Sequence, residues 1–206
     1  GWVELWPADI LHFYGFYFLF AAVFVSLPGR WLWALTGSSV AGFTMLYLVV
    51  GFWDDWNLET LEYRNFWEPR QLVKNLVFNG FHPLLPWLGF LFAGMWLGRQ
   101  DLVNRRTSRR VLVTSALVAA CSYLLAWFLT GALAKKPSHG RLDEFVMALQ
   151  QLAKAESLPP APLYVLSAGG VAFSVVALSF LVCRSVGAKK IFHPLACAGR
   201  MALTLY

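Results

Sequence analysis

Charge is scarce in this sequence. Only 14% of its 206 residues are Asp, Glu, Lys or Arg, while 58% are hydrophobic; a soluble globular chain carries about 25% charged residues. That is too little charge to coat a soluble domain of this length, and it excludes both a disordered chain and a water-soluble enzyme. Cysteine is sparse as well. Cys121, Cys183 and Cys197 form no CxxC pair and sit in apolar surroundings, so they read as small hydrophobes rather than as a disulfide or metal framework. The sequence has no metal-ligand spacing, no nucleophile elbow and no phosphate-cradling glycine loop. No basic n-region with a cleavage site opens it.

What is present is apolar sequence in long runs, the mark of a membrane-spanning chain. The runs cover 8–27, 31–52, 84–98, 111–134 and 163–182, and a further one starts near Leu195. The turn Pro28-Gly29-Arg30 separates the first two. The third is short for a span, which normally needs about 17 residues or more, so it is expected to start earlier, thin the bilayer or be broken. The expectation is an all-α polytopic transmembrane bundle of five spans plus a truncated sixth. The first residue is Gly and the last, Tyr206, falls inside an apolar run, so residues 1–206 are expected to be one partial domain of a larger bundle.

Loop charge gives the orientation. Arg30, the segment 99–110 (Arg99, Arg105, Arg106, Arg109 and Arg110 against Asp101) and the segment 183–192 (Arg184, Lys189, Lys190) are basic and alternate along the chain. The positive-inside rule places them in the cytoplasm. Residues 1–7, 53–83 and 135–162 then lie outside; 53–83 holds five acids and three bases. The net charge of +6 is thereby read as topology, not as a nucleic-acid partner. In 53–83, Trp53, Trp56, Tyr63, Phe66 and Trp67 suit a membrane interface, and Leu72, Val73, Leu76 and Val77 share one face of an expected amphipathic helix that feeds the third span. The second outer loop, 135–162, has helical composition from Leu142 to Ala155.

Ionisable and polar groups at membrane depth are costly, which makes them candidates for function. Asp9 and His12 are three apart on one helical face near the outer end of the first span. They line a cavity, or else Asp9 serves the helix dipole and His12 packs against a neighbour. Asn79, His82 and Trp87 fall in Asn-Gly-Phe-His-Pro-Leu-Leu-Pro-Trp, where two prolines and a glycine break the backbone at a helix start. That string aims groups at a ligand, or it is interfacial punctuation anchored by Trp87. Arg200, near the cytoplasmic start of the last run, binds an anionic group such as a phosphate or snorkels to the interface. Gly94 and Gly98 form a GxxxG, a pattern suited to close helix packing.

Three strings together carry a resemblance: WPADILHFYGFYFLF (6–20), FWEPRQLVKNLVFNGFHPLLPWLGFLFAGMWLGR (66–99) and AGRMALTLY (198–206). They resemble the YeiB-like bacterial membrane proteins and their relatives with a heparan-α-glucosaminide N-acetyltransferase-like domain. The resemblance implies a transmembrane acyltransferase of the bacterial cytoplasmic membrane. In this picture acetyl-CoA or another acyl-CoA is the cytosolic co-substrate, and a sugar or related small molecule or glycan is the outer acceptor. It also implies that the central histidine of that chemistry lies in an outer loop upstream of Gly1, so no catalytic residue is assigned here. His12 stands where relatives can carry Gln and is implied to line the site. Asp9, His12, Asn79, His82 and Trp87 are the acceptor-site candidates, with Arg200 the acyl-CoA phosphate candidate. No metal is expected. Besides the lipid bilayer and the acceptor, a homo-oligomer stays open as a partner state. The rivals are a transporter or permease of a small solute, favoured by a broken third span, and a non-catalytic membrane scaffold.

Overall fold

The computed structural model describes residues 10–57, 59–60, 62–133, 143–184, 193–194 and 197–199. Asp9 and Arg200 lie outside these residues, as do the side chain of His12 and most of the expected sixth span.

The chain is largely helical. The elements, in order, are α1 (Leu11–Phe24), α2 (Gly29–Val49), a hairpin of β1 (Trp56–Asn57) and β2 (Glu62–Tyr63), and α3 (Pro69–Lys74). A π-helical turn (Asn75–Asn79) continues α3. Then come α4 (Leu84–Leu97), α5 (Arg105–Leu133), α6 (Asp143–Leu152) and α7 (Pro162–Val182). Proline sits in the first turn of α3 and of α7, where its fixed φ suits helix entry and its missing N–H is no loss.

Among the described residues, α2, α5 and α7 are long and apolar enough to cross a membrane. The bent pair Pro69–Asn79 plus Leu84–Leu97, whose halves meet at 46° across the break at 80–83, adds a fourth when the two halves are counted as one span. The described residues therefore hold three spans, or four with the bent pair, against the expected five plus a truncated sixth, and most of that sixth run lies outside them. For the first run the reason is length. α1 keeps 14 residues, about 21 Å at 1.5 Å per residue, short of a hydrocarbon core of about 30 Å. The third run spans only by borrowing the π-terminated helix before it.

Lipid rather than protein is the natural solvent for the outer surface. Phe18, Val49, Leu124 and Trp127 are all exposed, and no more than 28% of the apolar window of α2, α5 or α7 is buried inside the protein. The interior holds two helix pairings. α2 packs along α4, with Leu32, Leu84, Leu88 and Phe92 as its buried cluster. α5 packs along α7 through small residues: Ser108, Ser115, Ala119, Ser122 and Ala126 are buried on α5, and Ser167, Gly170 and Ala177 on α7. A Cβ added at Gly170 would meet Ser115 O at 2.7 Å and Ala119 N at 2.9 Å, so the two backbones nearly touch there. The GxxxG of α4 does no such work among the described residues. A Cβ at Gly94 would have nothing within 4 Å, and Gly98 is the cap of α4.

The two ends of the bundle differ in chemistry. At one end, Arg99 donates through Nη2 to Val25 O (2.6 Å) and through Nη1 to Leu27 O. Arg184 donates to Val103 O at the same end. The three basic connections therefore meet. At the other end Phe43, Phe52 and Phe78 form a cluster with Tyr47, Trp53, Leu85 and Leu158, so the loops after α2 and before α7 come together there.

Candidate functional site

The aromatic end is organised by Asn79, the last residue of the π-helical turn. Such turns recur at functional sites because the widened backbone re-aims side chains. Asn79 is fully buried. Its Oδ1 accepts from the Tyr63 hydroxyl (2.8 Å). Its Nδ2 donates to Phe52 O (3.1 Å) and Asp55 Oδ2 (3.2 Å). Its carbonyl accepts from Trp56 Nε1 (2.8 Å). The hairpin supplies Trp56 and Tyr63, which are register partners, and Arg64 N–H closes the turn onto Asp55 O (2.8 Å).

Asp55 is the second hub. Lys74 Nζ donates to its Oδ2 (2.5 Å) and Gln71 Nε2 to its Oδ1 (3.1 Å). Desolvation pushes the Asp55 carboxyl up. The Lys74 ammonium, with the hydrogen bonds from Asn79 and Gln71, outweighs it, and the net shift is downward. Tyr63 is shifted the other way: burial, then the Asp55 charge, pushes its phenol well above the ordinary range. At neutral pH the network therefore holds a carboxylate at Asp55 beside a neutral phenol at Tyr63.

Gly80 follows, in extended conformation. A Cβ here would lie 2.6 Å from Asn75 O and 2.8 Å from Asn75 Oδ1, so only glycine lets the chain leave the π-helical turn at this angle. The exit delivers His82. Its carbonyl accepts from Tyr17 OH (2.7 Å). Its ring lies edge-on to Phe13 at 6.1 Å and against Trp87 at 5.0 Å. Phe13 brings the start of α1 to the site, and His12 is its neighbour in that helix. The indole Nε1 of Trp87 is buried and has no hydrogen-bond partner among the described residues, an arrangement that costs about 1–3 kcal/mol in a folded protein and calls for a specific explanation. Trp87 packs tilted against Phe90 (5.4 Å), and Phe90 meets Tyr164 of α7 edge-on (6.1 Å).

Of the sequence candidates, the fold brings Asn79, His82 and Trp87 to one end of the bundle. Asn79 has its polar atoms engaged within the protein, whereas His82 and Trp87 form an aromatic-walled face beside it. Asp9, the His12 side chain and Arg200 are outside the described residues. The sequence does not single out Asp55, Gln71 or Lys74, and it reads Trp56 and Tyr63 as interfacial residues, although Trp56 is buried at 6% exposure. Their only signal was a loop unusually rich in acids for a membrane protein. Among the described residues, no group of three or more His, Cys, Asp or Glu could hold a metal ion.

Apolar helices facing outward around a polar, aromatic-walled site at one end define an integral membrane protein of the polytopic α-helical class. Over residues 8–129 the sequence matches the family described as heparan-alpha-glucosaminide N-acetyltransferase, catalytic. That is more than half of the chain, and the chain belongs to this family of transmembrane acyltransferases. No curated protein and no solved structure matches it.

Proposed function

We propose that this chain forms part of a membrane acyltransferase that moves an acyl group, acetyl in the simplest case, from a cytosolic acyl-CoA to a sugar or related acceptor across the bilayer. Family membership supplies the reaction class. The observation that supports an acceptor site at this end is the buried indole N–H of Trp87 beside the His82 ring, with no hydrogen-bond partner among the described residues. A donor held ready in an apolar setting is suited to an acceptor hydroxyl or to the acyl oxygen as it gains charge. His82, with His12 and Asp9 near the start of α1, orients the acceptor or takes its proton as the acceptor's nitrogen or oxygen attacks the acyl carbon. The thioester C–S bond breaks, and the proton ends on the departing CoA thiolate. Asn79, Asp55 and Tyr63 act through position, holding the break at 80–83 in place. Positive-inside reasoning puts this end outside and the basic end in the cytoplasm, where Arg200 meets the CoA phosphates. The YeiB-like branch and the bacterial cytoplasmic membrane belong to the same proposal.

The bent pair α3–α4 favours one competing reading, a solute transporter built around a broken helix. One experiment separates the two. Full-length protein is incubated with labelled acetyl-CoA and candidate amino sugars. Acceptor-dependent CoA release supports the transferase, and Trp87→Phe, which keeps the ring and removes the N–H, should lower the turnover roughly tenfold, the worth of one hydrogen bond. Solute binding without CoA turnover would transfer the assignment to transport.

A further inference from the structure

The basic end holds a second feature to which the proposed acyl transfer assigns no role. Arg105, Arg106, Arg109 and Arg110 occupy the first turns of α5, all exposed. Among the described residues none of them is in an ion pair; the two pairs there are Lys74–Asp55 and Lys154–Glu156. Four cations at this position are electrostatically adverse, because the helix dipole is already positive at its N-terminus and like charges repel at i, i+4. Arg105, Arg106, Arg109 and Arg110 line a shallow, open groove of about 590 Å3 on the surface of α5, together with Val113 and Thr114. Arg105 and Arg109 share a second hollow of about 350 Å3 with Arg184, Leu181 and Val182 of the α7 end.

The groove continues into an apolar stripe. Arg106, Arg110, Val113, Leu117 and Leu124 follow each other at spacings of four, three, four and seven residues, one face of one helix. Val113, Leu117 and Leu124 are 57%, 59% and 65% exposed. From Arg110 to Leu124 the stripe runs about 21 Å, longer than one hydrocarbon leaflet of about 15 Å. Forked cations at the rim and an exposed apolar track descending from them match a phosphate that carries acyl chains, whereas a soluble phosphate would use only the rim.

We propose that this face of α5 is a binding site for an anionic phospholipid, its phosphate held by Arg106 and Arg110 with Arg105 and Arg109 beside them, and its chains laid along Val113, Leu117 and Leu124. The site stands whether or not the chain is a transferase. The test is lipid retention by the purified full-length protein in detergent, read by native mass spectrometry with phosphatidylglycerol and phosphatidylcholine offered together. The wild type should keep phosphatidylglycerol preferentially. Arg106→Gln/Arg110→Gln should reduce that preference roughly 30-fold, about fivefold per basic residue. Arg106→Lys/Arg110→Lys, which keeps the charge and guards against a folding artefact, should retain most of it. Arg64→Gln/Arg70→Gln, at the opposite end, should leave it unchanged. An equal loss in the Arg64/Arg70 pair would reduce the effect to net charge and overturn the site. Displacement of the lipid by millimolar inorganic phosphate as effectively as by phosphatidylglycerol would also overturn it, because the ligand would then be a free phosphate.

Discussion

Asp55 shows what a single residue contributes at the aromatic end. It accepts from Lys74, Gln71 and Asn79 at once, so Asp55→Asn removes the charge that holds Lys74 and leaves amide donors facing donors. We expect a loss of about 2 kcal/mol, the scale of hydrogen bonds to a charged group, seen as a lower thermal midpoint in detergent. The pH dependence has a definite sign. The folded Asp55 carboxyl lies below its ordinary value of 3.8, so its contribution is present above that value and is lost as pH falls through the folded one. The Tyr63 phenol lies above its ordinary value of 10.0, so its contribution is present below 10 and fades as pH rises further. The difference in midpoint between wild type and Asp55→Asn should therefore be flat at neutral pH and shrink toward zero in strong acid. A difference that persisted undiminished in strong acid would show that the carboxylate is not the group responsible. Apart from Asn79, this network is not legible as a motif. Asp55, Tyr63, Gln71 and Asn79 are eight to twenty-four residues apart and meet only through a hairpin and a π-helical turn that no periodicity announces. His82 and Trp87 were legible because proline and glycine flank them.

At the level of elements, the α5–α7 pairing rests on close backbone approach. In a membrane no hydrophobic force drives helices together, so packing of small residues and hydrogen bonds such as Ser115 Oγ to Ser174 Oγ (2.8 Å) carry the contact. Gly170→Ala must push against Ser115 O and Ala119 N, both backbone atoms. We expect it to destabilise by about 1–3 kcal/mol as overpacking. Gly94→Ala, with open space around it, should be neutral or slightly stabilising, since alanine is the better helix former by about 1 kcal/mol. Thermal unfolding of the two variants side by side would decide the matter, and equal effects would contradict the packing assigned here. The spans α2, α5 and α7 were legible from apolar length alone. The partner faces were not: GxxxG pointed to α4, while the small residues of α5 follow a looser pattern, with Ser108, Ser115 and Ser122 seven apart and Ala119 and Ala126 between and beyond them. A pattern of small residues says that close approach is sterically allowed, not where a neighbour stands.

For the whole molecule, the alternation of strongly basic connections with mixed-charge ones has a physical counterpart: Arg99 and Arg184 tie the basic connections together at one end, and the aromatic cluster gathers the others. The positive-inside rule then predicts which end faces out. With Cys121, Cys183 and Cys197 replaced by Ser, Glu59→Cys should react with a membrane-impermeant maleimide on intact cells. Val103→Cys should react only after permeabilisation. The reverse pattern would invert the orientation and move the acceptor site to the cytoplasmic side.

The hydrogen bonds of Asn79 and Asp55 have one more consequence, which concerns order of assembly. Every partner in that network, from Phe52 to Asn79, belongs to one connection between α2 and α4. Contacts close in sequence form first. The hydrogen-bond network of the aromatic end can thus form as soon as this connection has emerged from the translocation machinery, before Leu158 and Tyr164 arrive to join the aromatic packing around it. The later helices then dock against a preformed template, and a defect such as Asp55→Asn acts on biogenesis before it acts on stability.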